Sequence, residues 1–152
     1  MLKITVILML MVLTSVTAFT TEKVLFKAGY GIKEVTLGMV CTKDLIDTIG
    51  TPISANYNEA TDTVGLLYPN YLLIVNRDLQ VVAIILMQAN YKDVDGIGID
   101  STKEAVVSGY GNNYKTYKYE DKQMFVYTSK GITFVIKEDK VIAIILYAGA
   151  PE

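Results

Sequence analysis

Val82-Ala83-Ile84-Ile85-Leu86 returns sixty residues later as Ile142-Ala143-Ile144-Ile145-Leu146, each time after a short polar turn. A sequence that echoes itself implies a repeated structural unit, which restricts the possible folds more than composition does. The surroundings of each echo also match. Leu45 corresponds to Val106 and Gly50 to Gly111, both at an offset of 61, so each copy opens with a short helix that a glycine stops.

In the first copy Val35 and Leu37 alternate with Glu34 and Thr36, an extended entry that Gly38 ends. Thr42 offers an N-cap hydroxyl and Asp44 a negative charge for the first turn. Leu45, Ile46 and Ile49 form one apolar stripe, and Pro52 forbids continuation. Residues 53–62 read as polar loop, followed by strands at Val64–Tyr68, Tyr71–Val75 and Val81–Met87. In the second copy Ser101 and Glu104 have capping-box spacing, and Val106, Val107 and Tyr110 make the stripe. Strands follow near Lys115–Tyr119, Gln123–Tyr127, Ile132–Ile136 and Val141–Tyr147. The fold expected is α+β: two tandem repeats of short helix plus antiparallel β-meander, helices packed on one face of the sheet. The repeats run over 19–89 and 90–152. No low-complexity linker separates them, so they are expected to pack as one body.

Gly38-Met39, Leu45 and Gly50-Thr51-Pro52 resemble the "GMT…V…LGTP" signature of the SmpA/OmlA family. That family includes the small lipoprotein of the outer-membrane β-barrel assembly machine. The tandem arrangement resembles the β-lactamase-inhibitory protein superfamily, whose repeats pack helices on an antiparallel sheet. The resemblance implies an envelope or inhibitory protein. Four departures stand beside it: Val40 is an extra residue, Asp100 replaces the first glycine in copy two, no proline follows Gly111, and the lipobox cysteine of the outer-membrane lipoproteins is absent.

Residues 1–18 have the form of a signal peptide. Lys3 gives the positive start, Ile4 to Leu13 the apolar run, and Val16 and Ala18 the small positions before cleavage at Phe19. An apolar run of about ten residues is short for a membrane span, which takes about twenty. The expected location is extracytoplasmic, periplasmic or secreted, with no stable membrane anchor after cleavage. Removing Lys3 leaves the chain one charge more negative than its formal −2, which argues against nucleic acid. Cys41 is the single cysteine, so no intramolecular disulfide can form.

The chain has no histidine, hence no histidine base, histidine metal ligand or Ser-His-Asp arrangement. Cys41 precedes a helix start, where a thiol can be activated, but no partner base is evident and a small helix-entry residue is the simpler reading. Asp93, Asp95, Gly98 and Glu104 match a calcium-loop spacing, yet Ile97 stands where a ligand belongs and Asp100 where an apolar residue belongs. Gly29, Gly31, Gly96 and Gly98 make no phosphate loop. Lys115, Lys118, Lys122 and Lys130 flank tyrosines, but Glu120 and Asp121 make this a solvated edge. The chain is expected to be non-enzymatic and to carry no metal or cofactor.

Tyrosine is the informative excess: of eleven, seven lie between positions 91 and 147. Period-2 counting puts Ile132, Phe134, Ile136, Ile142, Ile144 and Leu146 toward the core. It leaves Thr133, Ala143, Ile145 and Tyr147 on the other side, with Tyr117, Tyr119 and Tyr127 joining them. Tyr117, Tyr119, Tyr127, Thr133 and Tyr147 are therefore the candidate partner-binding residues, tyrosine bringing area, a hydroxyl and little rotamer entropy. Ile84 beside Ile85 and Ile144 beside Ile145 make the strands apolar on both sides, so the second face needs a cover. Either the repeats hide each other's second face or a partner does. The function expected is a non-catalytic module that binds or inhibits another extracytoplasmic protein. The alternatives are a structural cell-envelope assembly component and, further off, a small extracytoplasmic enzyme.

Overall fold

A computed structural model describes residues 24–150; the leader read in residues 1–18 lies outside them. The chain enters through β1 (Val24–Lys27) and β2 (Gly31–Ile32), then forms helix α1 (Lys43–Ile49). Four strands follow: β3 (Ser54–Asn58), β4 (Thr63–Leu67), β5 (Tyr71–Val75) and β6 (Val81–Leu86). After β7 (Tyr91–Lys92) comes helix α2 (Lys103–Tyr110). Four more strands complete the fold: β8 (Lys115–Tyr119), β9 (Lys122–Tyr127), β10 (Ile132–Lys137) and β11 (Lys140–Tyr147).

The eight long strands make one antiparallel sheet in the order β3-β4-β5-β6-β11-β10-β9-β8. Each half is a meander of sequential neighbours. The halves meet edge to edge where β6 pairs with β11, and that seam consists of the two echoing stretches themselves. Ile84 faces Leu146, Ile85 faces Ile145 and Leu86 faces Ile144, a register symmetric about the Ile85–Ile145 pair. A local two-fold thus relates the echoes, with the equivalents Ile85 and Ile145 paired at its centre.

One face of this sheet carries the core. Leu73, Ile84, Leu86, Phe134, Ile144 and Leu146 are fully buried there. Leu45 of α1 and Val106 of α2 pack into the same cluster, as do Phe26, Ile32 and Tyr91 of a small sheet ordered β2-β1-β7. The helices start alike. Thr42 and Thr102 cap α1 and α2 by accepting from Leu45 N and Ala105 N. Ser101, the expected cap of α2, accepts instead from Gly98 N. Gly38 N donates to Val81 O and Asp100 N to Val141 O, so each entry loop hooks onto the last strand of its own half. Asp100 holds the left-handed φ of 68° where the first copy has Gly38 at 80°.

The α+β class expected from sequence is not what forms. The described residues are mostly strand, with eleven strands against helices of only seven and eight residues. Two differences account for the change. Ser54–Asn58 was expected to be polar loop but is edge strand β3, whose largely exposed residues need no apolar alternation. Residues 24–32 and 91–92, given no element, form the small sheet, in which β1 runs parallel to β7. The covering layer is therefore shared between short helices and a second sheet, and helices do not supply it alone.

A further correction lies inside the strands. Ile142 was counted with the core, but it is 38% exposed, as is its equivalent Val82. The register shifts between Val135 and Ile136 opposite β11 and between Ile74 and Val75 opposite β6. Each shift is a bulge that puts Val141 and Val81 in the core instead, and period-2 counting cannot see a bulge.

Candidate binding face

Pairing residues in an antiparallel ladder share a face, so the register assigns every side chain of the large sheet. Opposite the core lie Leu67 on β4, Leu72 and Ile74 on β5, and Ala83 and Ile85 on β6. Across the seam the same face continues through Ile145 and Tyr147 on β11, Thr133 and Val135 on β10, and Met124 and Val126 on β9. Its large apolar residues are only partly buried, and none belongs to the apolar set packed on the core. Because the repeats join edge to edge, neither covers the second face of the other, and no described element does.

Four of the five candidate residues share this face. Tyr117 pairs with Met124 and Tyr119 with Lys122, which puts both on it at the β8 edge, 52% and 65% exposed. Thr133 and Tyr147 lie near the middle. Tyr147 extends across β10, its hydroxyl 3.4 Å from both Ile132 O and Thr133 Oγ1, and Thr133 is correspondingly only 5% exposed.

Tyr127 must be removed from the candidate site. It pairs with Ile132 on the core face and is fully buried. Its ring lies among Tyr110, Tyr114 and Phe134, and its hydroxyl donates to Gly111 O at 2.9 Å, tying α2's C-terminus to β9. Burial pushes the hydroxyl up to about 12, with Tyr114 adding to the effect. A residue expected in a partner's reach is part of the core.

Sequence reading also missed the outer part of the first-copy half of the face, Leu67, Leu72 and Ile74. The available signal was the apolar run Tyr71–Val75, which has no polar alternate and so must be apolar on two sides.

Charge gathers at the rim. Lys137 holds Asp121 at 2.7 Å and Lys122 adds a contact at 3.3 Å, and these two bonds lower the Asp121 carboxyl from its ordinary value. Lys115 sits on the face at the β8 edge; Lys118 is exposed on the same strand and Lys122 is paired beside it, whereas Lys130 lies in the β9–β10 turn over the Tyr110 ring.

The other sequence candidates are occupied by structural work. Asp93 is buried. Its Oδ1 accepts from Asp95 N and Ile97 N and its Oδ2 from Tyr110 OH at 2.8 Å, so the carboxylate staples its own loop to α2. Cys41 is buried before α1, and desolvation raises its thiol above the ordinary value, the direction opposite to activation.

No family model matches the chain, and no curated protein matches it. A solved structure does: the crystal structure of the uncharacterized protein yfeY from Escherichia coli. It is 13% identical, with a TM-score of 0.54, over 80% of this chain and 99% of that one. The likeness is one of fold. It extends over nearly the whole of the neighbour, so a similar fold recurs in a chain of very different sequence. No helix among the described residues is long and apolar enough to cross a membrane.

Proposed function

We propose that this protein is a non-catalytic extracytoplasmic binding module whose contact surface is the open face of the eight-stranded sheet. One observation carries the reading: six consecutive strands, β4 to β9 in sheet order, present apolar side chains on a face that no described element covers. Exposed apolar surface of this breadth is expensive in water and marks a contact site on a folded protein. Tyr117, Tyr119 and Tyr147 supply anchors of the type that dominates protein interfaces. The secretory form of residues 1–18 supports the location. The resemblance to envelope and inhibitory families supports the class.

Catalysis is disfavoured by the chain's lack of histidine and by a cysteine whose environment raises its pKa. A strand-pairing envelope component is the second reading, and β3 favours it. That edge strand carries no charged residue and no proline, the usual guards against pairing with a foreign strand, whereas β8 carries Lys115 and Lys118.

The two readings separate in one experiment. Affinity capture from an envelope extract is run with the wild type, with Ile145→Lys on the face, and with Ala55→Pro on the β3 edge. Loss of a discrete captured protein with Ile145→Lys alone supports the face. Loss with Ala55→Pro alone supports the edge, and turnover of small substrates with no captured protein would overturn both.

A further inference from the structure

We propose that the cover of the open sheet face is a second copy of this chain, stacked face to face as a two-sheet sandwich. This rests on the reading that the face binds protein, and it names the partner.

Composition gives the first argument. Across the six central strands the face presents Leu67, Ile74, Ile85, Ile145, Val135 and Val126, with lysines confined to the strand ends. Interfaces between different proteins that meet and part are about as polar as ordinary surface. Those of permanent homodimers resemble a domain core cut in half. This face is of the second kind. Its charge is confined to rim lysines such as Lys115 and Lys122, leaving the middle uncharged, and a broad sheet lacks the concavity a small ligand needs.

Symmetry gives the second. A two-fold dimer requires a patch that is complementary to itself. The register about Ile85 and Ile145 relates the strands of the two halves by a local two-fold, so a second copy can meet the seam with the same strand arrangement in either direction. Two twisted sheets stack with strands about 30° apart and about 10 Å between layers, which leaves room for one interdigitated layer of branched side chains.

Area gives the third. Eight strands spaced about 4.8 Å, each about five residues of 3.4 Å, make a footprint of roughly 650 Å² before side-chain relief is counted. A stable interface takes roughly 800 Å² from each partner. The relief of isoleucine, leucine and tyrosine side chains closes that gap, so nearly the whole face is required and is present.

The test is sedimentation equilibrium on the protein recovered after export, from low to high micromolar concentration, with circular dichroism on each sample. The wild type is expected at twice its monomer mass. Ile145→Lys and, separately, Ile74→Lys are expected to weaken association at least a hundredfold with unchanged dichroism, because both positions are partly open in the monomer. Val94→Lys, in an exposed loop remote from this face, should leave the dimer intact. A monomeric wild type overturns the inference. If that monomer still captures another protein, and Ile145→Lys abolishes the capture, the binding face stands with a different partner. A wild-type dimer that survives both lysine variants overturns the inference and the use of this face together.

Discussion

Ile85 and Ile145 lie directly opposite one another across the β6–β11 seam, the same residue of two stretches that echo each other in the sequence. Their neighbours Ile84 and Ile144 point to the core and are fully buried, while Ile85 and Ile145 point to the open face. Each echo therefore performs two tasks. Ile84, Leu86, Ile144 and Leu146 close the core of both halves, and Ala83, Ile85 and Ile145 build the middle of the exposed surface.

The seam should be the point where the halves depend on each other. Ile84 and Leu146 are cross-strand partners with no exposure. Ile84→Ala or Leu146→Ala should each cost about 2–5 kcal/mol, the range for removing a large side chain from a packed core. The pair should also couple, the double variant departing from additivity by about 0.5–3 kcal/mol. Urea unfolding of the four proteins measures this. Strict additivity would mean that the halves fold independently across the seam.

Gly131 should tolerate no side chain. It sits at φ 65°, and a Cβ there would come within 2.1 Å of Tyr147 O and 2.8 Å of Gly29 Cα. Backbone strain of about 1–3 kcal/mol and overpacking of about the same size fall on one residue. Gly50 has a φ of 90° but open space around it. Gly50→Ala should then cost only the strain, about 1–2 kcal/mol. Melting temperatures of the two variants compare the effects, and equal losses would show that the glycine contact at Gly131 is loose.

Stability should fall in alkali through particular tyrosines. Burial raises Tyr71, Tyr91 and Tyr127 from the ordinary 10.0 to about 12. Between about pH 10 and 12 the unfolded chain loses these protons while the folded chain keeps them, so the unfolded state binds fewer and stability declines as pH rises. The stabilisation is complete below about pH 10 and is lost as pH passes about 12. Urea midpoints from pH 8 to 12 follow the decline, and Tyr127→Phe should make it shallower. An unaltered slope in that variant would mean that Tyr127 ionises as freely folded as unfolded.

What the sequence made legible follows from where physical pattern is strong. The repeat, both short helices and most long strands rest on caps, stops and apolar runs that are local properties, although the cap of α2 is Thr102 and not Ser101. Strand β3 was illegible because its residues are mostly polar and exposed, so it has no apolar alternation to display. The small sheet was illegible because a two-residue strand such as β7 has no period at all. Ile142 and Tyr127 were misplaced for different reasons. A bulge shifts Ile142 out of register, and Tyr127 was grouped by residue type with tyrosines whose side chains point the other way. The two-sided need for cover was readable from Ile84-Ile85 and Ile144-Ile145. That the repeats join by their edges, leaving the second face open, is a long-range pairing that no local pattern encodes.

Tyr127 and Tyr147 put the division between core and contact surface to a direct test. They lie on strands β9 and β11, on opposite faces of one sheet. Tyr127→Ser removes a fully buried ring and the hydroxyl that bonds Gly111 O, and should cost about 3–5 kcal/mol, as loss of a buried aromatic does. Tyr147→Ser removes a half-buried ring whose two polar contacts are both long, at 3.4 Å. Its cost to the folded monomer should stay below about 1.5 kcal/mol, in line with the net worth of an ordinary hydrogen bond. In association the order reverses. Tyr147→Ser should weaken self-association measurably, whereas Tyr127→Phe, which keeps the ring in the core, should leave it within about twofold of wild type. Sedimentation and chemical unfolding of the three proteins read both quantities. If Tyr147→Ser changed stability as much as Tyr127→Ser and left association untouched, the tyrosine would belong to the fold and the contact surface would have to lie elsewhere.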